Sequence, residues 1–416
     1  MNRKLIRNTF NLINFVSPNL HDYFVRLMFK ANPPEGILKD VVYKIAETHD
    51  EVEQAFKLIQ KSYVETNLSS KKHHQYNLNK FKILPTTTIF IAKYKDEVIA
   101  SASQVMDTSL GLPIEEFISV DKLRQQGKRI SEVTGLAIHP NWRSQTQGVF
   151  FPLICYCVMY SAKFIGTENF VIVTRSSAKN FYRAIFAYKP LSEKDEMHRG
   201  VNQLSFAQWV NYEQLVSDIK SFYGNRSLFR NPYRMTQEVF PWKDQCDFVF
   251  PKYPVLFNRS FNLDTMTYFF KLKTDIIEKL PCRDLEFLKN LYEHKSYQEF
   301  IGENISLKFE RDNPRFYTNM SIKFSVEEKQ FTQKVIEISK SGFSLYGQNF
   351  HEKLEGHIQL NEETECYFKA DLMWKTPHKA GYKITHVDEL KWNNLFMWID
   401  EQTKFYLEIP EQDKAA

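Results

Sequence analysis

A strand is predicted over Ile130-Ser-Glu-Val-Thr-Gly-Leu-Ala-Ile138, and the polar loop Arg143-Ser-Gln145-Thr-Gln-Gly148 follows it after a short turn. The loop leads into an apolar run over 148–166 that predicts a helix. A polar loop that opens a helix exposes unpaired backbone N–H groups at the positive end of the helix dipole. Arg143, Gln145 and Gly148 are therefore candidates for holding a phosphate, although most loops of this kind bind nothing.

The segments around this junction predict an α/β fold with a central sheet. Val52, Ala55, Phe56, Ile59 and Tyr63 recur at helical spacing after a predicted strand over 41–46. Further segments alternate in the same way: a hairpin over 86–105, a helix over 112–126, a strand over 170–174 and a helix over 178–186. The order of these elements predicts a mixed sheet with flanking helices.

This ordered set resembles the GNAT acyltransferase fold. Gln145-x-x-Gly148 matches the family's pyrophosphate loop, with Phe150 in place of its final small residue, and Asn180-Phe-Tyr182-Arg follows the next strand. The resemblance implies that Tyr182 protonates a departing thiolate. The alternative for Tyr182 is an aromatic anchor of the core.

Within that fold, the segment from about 42 to 193 is similar to N-acyl amino acid synthases and to acyl-homoserine lactone synthases. The similarity lies in Leu112-Pro-Ile-Glu-Glu-Phe, Ser131-Glu-Val-Thr-Gly135-Leu-Ala-Ile138 and Phe150-Phe-Pro-Leu-Ile. It implies a long acyl chain donated by acyl carrier protein or coenzyme A, with Leu136 and Ile138 beside the thioester. Gly135 stands where the homoserine lactone synthases have arginine, so that product is not expected and the amine acceptor stays open.

Acyl transfer to an amine needs a base, because an amino acid's amine is mostly protonated at neutral pH. Glu132 is the candidate, since a carboxylate partly withdrawn from water on a central strand can have its pKa raised toward the working range. Backbone N–H groups after Leu136 are candidates for polarising the thioester carbonyl. The alternative for Glu132 is a structural salt bridge to a nearby Lys or Arg.

A second candidate site is predicted by Arg311-Asp-Asn-Pro-Arg315 and by Glu337-Ile-Ser339-Lys-Ser-Gly342. Guanidinium groups match phosphate oxygens and the guanine O6/N7 edge, and a Ser-Gly turn lets backbone N–H groups approach a ligand. These residues favour recognition of a guanine-containing phosphodiester. The alternative is two solvated arginines and an ordinary hairpin turn.

The segment from about 304 to 400 resembles a PilZ domain, an all-β barrel that binds cyclic di-GMP through an R-x-x-x-R arm and a [DN]-x-S-x-x-G turn. Arg311, Arg315, Ser339 and Gly342 occupy the motif positions, and Glu337 replaces Asp or Asn. The resemblance implies cyclic di-GMP as a regulatory ligand, with a displaced acceptor at position 337.

The composition sets limits on the function. The net charge of +5 over 416 residues gives no electrostatic support for a nucleic-acid partner. Five cysteines without metal-ligand spacing predict no metal site and favour reduced thiols in the cytoplasm. The basic and then apolar segment at 1–16 predicts an amphipathic helix, which packs on its own domain or lies peripherally on the inner membrane surface.

We therefore predict five segments: an amphipathic segment at 1–40, a GNAT-like domain at 41–200, a cap and helical connector at 201–302, a PilZ-like domain at 303–402 and a tail at 403–416. The leading hypothesis is an N-acyltransferase using acyl carrier protein and regulated by cyclic di-GMP. One alternative is a catalytically inactive cyclic di-GMP receptor acting through protein contacts. The other is an acetyl-CoA-dependent GNAT acetyltransferase.

Overall fold

The computed structural model describes residues 17–66, 75–197, 204–238, 242, 244–256, 261–292, 295–302, 314–326, 329–346, 350–376 and 379–407. Arg311 lies outside these residues, as does the amphipathic segment at 1–16. The described chain forms a mixed sheet with helices on both faces, followed by an antiparallel β-barrel. The predicted fold class is thereby confirmed.

The amino-terminal sheet has the strand order β6-β8-β5-β4-β3-β2-β1-β9, with β7 paired to β8. Only the β4–β5 and β1–β9 pairs are parallel. Two of these strands, β8 and β9, come from the segment that was predicted to be a connector, so the sheet extends past position 200. The strands are β1 (Val41–Ile45), β2 (Thr87–Tyr94), β3 (Glu97–Met106), β4 (Ile130–Ile138), β5 (Asn169–Arg175), β6 (Lys189–Pro190), β7 (Glu196–Met197), β8 (Leu204–Asn211) and β9 (Asp247–Phe248).

The described part of the chain has eleven helices, of which the last packs on the barrel. They are α1 (Pro18–Met28), α2 (His49–Glu65), α3 (Asp121–Arg124), α4 (Thr146–Tyr160), α5 (Lys179–Phe186), α6 (Tyr212–Tyr223), α7 (Pro232–Gln237), α8 (Leu263–Thr267), α9 (Cys282–Leu291), α10 (Lys295–Ile301) and α11 (Glu389–Leu407). Thr48 begins α2 with a capping box in which Glu51 bonds back to the cap backbone.

Side chains that alternate along the strands pack into two separate hydrophobic cores, one on each face of the sheet. Phe90 and Ala92 of β2 pack with α4 on one face, whereas Ile89 and Ile91 pack with α2 on the other. A π-helical turn, Ser161–Ile165, continues α4. The window Gly148–Ile165 is apolar and long enough to cross a membrane, a property shared by core helices of soluble proteins, and 67% of it is buried here.

The carboxy-terminal barrel is a closed ring of six antiparallel strands in the order β13-β12-β15-β16-β17-β14, with β14 returning to β13. Outside the ring, the short strand β11 pairs with β13, and the short strand β10 pairs with β11. Helix α11 packs Leu395 and Ile399 into the barrel core. The strands are β10 (Val255–Leu256), β11 (Phe316–Thr318), β12 (Ser321–Val326), β13 (Lys329–Ser339), β14 (Gly342–Tyr346), β15 (Lys353–Gln359), β16 (Glu365–Lys375) and β17 (Lys379–Val387).

The barrel contacts the first domain at the end of α4. Asn319, directly after β11, donates from Nδ2 to the carbonyl oxygens of Ala162 at 3.1 Å and Lys163 at 3.0 Å. A Cβ at position 166 would overlap the Asn319 side chain, so Gly166 is needed for this close approach. The two domains therefore meet through hydrogen bonds to the π-helical turn.

Candidate active site

Strands β4 and β5 pair for only three residues and then separate. The parallel register joins Ile130, Ser131 and Glu132 to Asn169, Phe170 and Val171, while β4 runs on to Ile138 and β5 to Arg175. A cavity of about 360 Å³ occupies the opening between the two unpaired halves. The sheet thus provides a gap in its centre through which a ligand can reach both faces.

A bulge in β4 causes the separation. Ser101 of β3 pairs with Ala137, and Ser103 pairs with Thr134. An advance of two residues along β3 therefore corresponds to three residues along β4. Gly135 takes up the extra residue at φ +66°, a conformation that glycine adopts without strain. One inserted residue reverses the alternation of side chains along a strand. Even-numbered residues before Gly135 and even-numbered residues after it therefore point to opposite faces of the sheet.

The cavity has both apolar and polar side chains in its lining. The apolar groups come mainly from α4, β5 and α5, and the polar groups are hydroxyls with one guanidinium. The apolar lining consists of Val133, Leu136, Ile154, Cys157, Val158, Phe170, Ile172, Val173, Ala178, Phe186 and Leu215; the polar lining consists of Tyr63, Thr134, Ser161, Thr174, Arg175, Ser177, Tyr182 and Tyr188, with Gly135 between them. This combination suits a hydrocarbon chain that ends in a polar reacting group.

Tyr182 lines the cavity from α5, as a group reaching a departing thiolate must. Burial raises the pKa of its phenol to about 12, so it holds its proton at neutral pH. Its ring also contacts those of Phe186 and Tyr188. The side chain is therefore placed for either predicted role, proton donor or core anchor.

Tyr63 is a second phenol at the cavity, and the sequence analysis counted it only as an apolar position of α2. Burial raises its pKa, against hydrogen bonds from the Thr134 side chain and the Gly135 backbone. Glu132 also acts on it electrostatically. In the sequence, the signal for Tyr63 was its position in the last turn of α2.

Glu132 lies on the α2 face and is outside the lining of the cavity. Its carboxylate is 3% exposed and accepts a hydrogen bond from the backbone N–H of Ile114 at 2.6 Å. Burial raises the pKa of Glu132 to about 8, against that hydrogen bond and the charge of Lys82. The carboxylate is thus poised to exchange a proton near neutrality, and its role as the base stays a prediction.

Lys82 is the other ionisable group on this face, and the sequence analysis did not single it out. It is 2% exposed, and its Nζ has no hydrogen-bond partner in the described part of the chain. Burial lowers its pKa to about 7, against the charge of Glu132. The signal was a lone charge in the apolar turn Phe81-Lys82-Ile83.

Arg143 and Gly148 of the predicted phosphate loop are outside the described lining of the cavity, and the side chain of Gln145 is outside the described part of the chain. The turn Pro140–Gln145 carries Arg143, whose Nη2 donates to Glu65 Oε2 at 2.6 Å. Gly148 is buried, and a Cβ there would lie 2.6 Å from Leu38 Cδ1, so packing already accounts for the glycine. Leu136 lines the cavity, whereas Ile138 packs into the core on the α4 face.

A second pocket, of about 280 Å³, opens on the barrel. It brings together four of the five residues predicted to bind a nucleotide: Arg315, Glu337, Ser339 and Gly342. Arg315 Nη1 lies 3.4 Å from Glu337 Oε2, and Ser339 Oγ donates to the Gly342 carbonyl oxygen at 3.2 Å. The sequence analysis missed two further lining residues, Trp374 and Lys383, which are distant in sequence and supply an aromatic face and a cation.

Residues 54–207 match the family model described as N-acyl amino acid synthase FeeM. Among solved structures, FeeM from uncultured soil microbes is 17% identical over 42% of this chain and 93% of its own, with a TM-score of 0.36. The CoA-dependent acyl-homoserine lactone synthase BjaI is 12% identical over 51% of this chain and 94% of its own, with a TM-score of 0.34.

The Bacillus subtilis inhibitor of motility MotI/DgrA is 18% identical over 25% of this chain and 56% of its own, with a TM-score of 0.21. No curated protein matches the chain by sequence. The family match includes the cavity-lining residues from Tyr63 to Tyr188, and Leu215 of α6 lies beyond it. It supports an N-acyltransferase enzyme, with residues 54–207 similar to N-acyl amino acid synthases.

Proposed function

We propose that this protein transfers a long acyl chain from a thioester of acyl carrier protein to the amine of an amino acid or similar small amine, and that cyclic di-GMP regulates the transfer. The single observation that carries the proposal is the cavity between β4 and β5, whose lining combines apolar side chains with hydroxyl groups and the Arg175 guanidinium. Its volume of about 360 Å³ is within the range of small-molecule sites.

In the proposed reaction, the acyl chain lies among the side chains of α4 and the thioester carbonyl lies at the bulge of β4. Backbone N–H groups after Leu136, where β4 is no longer paired with β5, are the proposed donors that polarise that carbonyl. The amine attacks the carbonyl carbon, the C–N bond forms and the C–S bond breaks. The departing thiolate takes a proton from Tyr182.

The attacking nitrogen must lose a proton during this step. Glu132 is the proposed acceptor, and its pKa of about 8 suits proton exchange near neutrality. Because Glu132 is outside the cavity lining and acts on the Tyr63 hydroxyl, the proton passes to it through Tyr63 or a water molecule. Acyl-CoA as the donor is the alternative to acyl carrier protein.

The regulatory part of the proposal rests on the barrel pocket and on a short path to the cavity. Arg315 precedes β11, whose last residue, Thr318, accepts a hydrogen bond from Arg129 of the first domain. The next residue, Asn319, donates hydrogen bonds to the backbone carbonyl groups of Ala162 and Lys163. These two residues directly follow Ser161, which lines the cavity. A ligand that moves Arg315 therefore acts on the helix that holds the acyl chain.

The proposal also keeps the protein in the cytoplasm with a peripheral contact at the inner membrane surface. Leu20, Tyr23 and Leu27 follow one face of α1 and are exposed by 47%, 58% and 49%. Sedimentation of the full chain with anionic vesicles tests this contact. Retention in the supernatant at low ionic strength would refute it.

The transfer is tested with purified protein, long-chain acyl carrier protein and a panel of amino acids, together with mass spectrometry of lipids from expressing cells. We expect N-acyl products that are lost in Glu132→Gln. A catalytically inactive receptor is the second candidate, favoured by the engagement of Arg143 with Glu65 and of Gly148 with Leu38. Absence of turnover with any acyl thioester would support that candidate, and selective use of acetyl-CoA would support an acetyltransferase.

A further inference from the structure

Lys82 is a buried cation that the proposed chemistry does not use. Its side chain comes from the turn Lys80–Ile83, and its Nζ has no hydrogen-bond partner among the described residues. Burial lowers the pKa of Lys82 to about 7, although the charge of Glu132 opposes this shift. An anion bound beside Nζ would therefore favour the protonated form of this side chain.

Lys82 Nζ lies behind Gly135, a residue of the cavity lining. A Cβ built on Gly135 would be 3.8 Å from Lys82 Nζ and 3.4 Å from Ser103 Oγ, while Gly135 itself lines the cavity. One glycine thus separates the cation from the space where the thioester is proposed to lie. A side chain at position 135 would occupy this approach.

Other polar groups on this face lack partners as well. The hydroxyl groups of Ser101 and Ser103 are buried and have no hydrogen-bond partner in the part of the chain that the structure describes. Glu132 is near enough to act on Lys82 electrostatically, and its carboxylate is already held by the Ile114 N–H. Next to Gly135, the Lys82 amine and the Ser103 hydroxyl are therefore two neighbouring groups that can donate hydrogen bonds to a carboxylate.

We propose that Lys82, assisted by Ser103, binds the carboxylate of the acceptor, so that the acceptor is an amino acid and not a simple amine. The proposal rests on the proposed acyl transfer. The amine and carboxylate of an α-amino acid share one carbon atom, so an anchored carboxylate fixes the nitrogen beside the β4 bulge. Lys82 acts as a specificity-determining residue, and the reacting atoms are left to other groups.

Arg175 is the competing cation, because it lines the cavity at the end of β5. Its position is shared with the polar lining residues Thr174 and Ser177, where a phosphate of the donor would also be attracted. The two cations make different predictions: Lys82 governs the choice of acceptor, and Arg175 governs the affinity of the donor. Arg175→Gln is therefore the matched control for Lys82→Met.

The kinetic test compares amino acids with the amines that lack the carboxylate: phenylalanine with phenethylamine, leucine with 3-methylbutylamine and alanine with ethylamine. With acyl carrier protein as the carrier, wild type should prefer each amino acid in kcat/KM by on the order of 10- to 100-fold. Lys82→Met should abolish this preference and retain activity on the amines. An unchanged preference in Lys82→Met, or its loss in Arg175→Gln alone, would overturn the proposal.

Calorimetric titration of the same compounds tests the proposal without catalysis. Phenylalanine should bind wild type, bind Lys82→Met at least tenfold more weakly, and bind Ser103→Ala with an intermediate affinity. Wild-type protein that binds neither phenylalanine, leucine nor alanine would also overturn it. Intact amino-acid binding without any acyl transfer would count instead against the proposed function.

Folding of Lys82→Met is checked by its thermal unfolding. Methionine fills a similar volume without a charge, so this variant should melt at or above the temperature of wild type. A folded Lys82→Met protein that binds phenylalanine as tightly as wild type would leave no role for Lys82 in recognition.

Discussion

Arg129 donates a hydrogen bond from Nη1 to the carbonyl oxygen of Thr318 at 3.2 Å, and the same nitrogen contacts the carbonyl oxygen of Ile165. The guanidinium of Arg129, the residue directly before β4, therefore links the first domain's π-helical turn after α4 to strand β11 of the barrel domain. Burial lowers the pKa of Arg129, yet the side chain remains a cation because arginine titrates far above neutrality. This contact suggests how the state of the barrel reaches the cavity.

Asn319→Ala should uncouple the barrel from the acyl site. The change removes two hydrogen bonds to Ala162 and Lys163, each contributing about 0.5–1.5 kcal/mol. We expect basal acyl transfer to persist while its response to cyclic di-GMP falls, as measured by initial rates with and without the nucleotide. The control is Lys323→Ala, which removes only an exposed ion pair to Glu365 within the barrel. An undiminished response in Asn319→Ala would contradict the proposed path.

Glu132→Gln should lower acyl transfer by about 10²- to 10⁴-fold, as expected when a general base is lost. Because the base must be deprotonated and the pKa of Glu132 is raised to about 8, the wild-type kcat/KM should increase as the pH rises through 8. The variant should lose that rise. A glutamine variant that keeps both the rate and the pH profile would remove Glu132 from the mechanism.

The pair of Lys82 and Glu132 should make stability depend on pH in two windows. Glu132 keeps its proton up to about pH 8 instead of 4.5, so its contribution to the free energy of unfolding falls as the pH rises between these values. Lys82 loses its proton near pH 7 instead of 10.5, so its contribution increases as the pH rises across that window. Each effect should amount to a few kcal/mol in urea unfolding.

The single variants separate the two windows. Glu132→Gln should remove the pH dependence of the free energy of unfolding between about pH 4.5 and 8. Lys82→Met should remove it between about pH 7 and 10.5. Exposed Lys340→Ala, whose partner is Asp400 on the barrel surface, is the control and should change neither. Identical pH profiles for wild type and both buried variants would show that these groups titrate normally.

Arg315→Ala should weaken cyclic di-GMP binding by about 10- to 100-fold, because a charge-assisted contact to phosphate is lost. Arg311→Ala should have a similar effect if the arm acts as the PilZ resemblance implies. Trp374→Ala should weaken binding as well, since a guanine base gains from an aromatic face. Calorimetric titration measures all three. Unchanged affinity in both arginine variants would exclude this nucleotide from the pocket.

Much of the fold could be predicted because it follows from local patterns. The alternating segments around Ile130-Ser-Glu132 predicted the α/β domain, and the PilZ resemblance carried by the motifs around Arg315 and Gly342 implied an all-β barrel. Helical spacing from Val52 to Tyr63 likewise gave α2 its buried face. Each of these signals is carried by residues that are neighbours along the chain.

Of the arginine motif, Arg315 lies beside the second motif, since its Nη1 is 3.4 Å from Glu337 Oε2 and both residues line the barrel pocket. Arg311 is outside the described residues. The position of Trp374 could not be foreseen. A Cβ on Gly381 would overlap its ring, and this contact joins β16 to β17 across a second register shift. Such shifts depend on the closure of the barrel and leave no periodic trace in the sequence.

The sequence by itself determined the order of strands and helices, the alternation that fills two cores, and the residue types available for acyl transfer. The tertiary structure alone decided which side chains share a face of β4. Strict alternation would place Glu132, Leu136 and Ile138 together, but the bulge at Gly135 sends Glu132 toward α2 and Leu136 toward α4. It also brought Tyr63 to the cavity wall and Lys82 behind it, because contacts between distant segments arise only when the sheet is assembled.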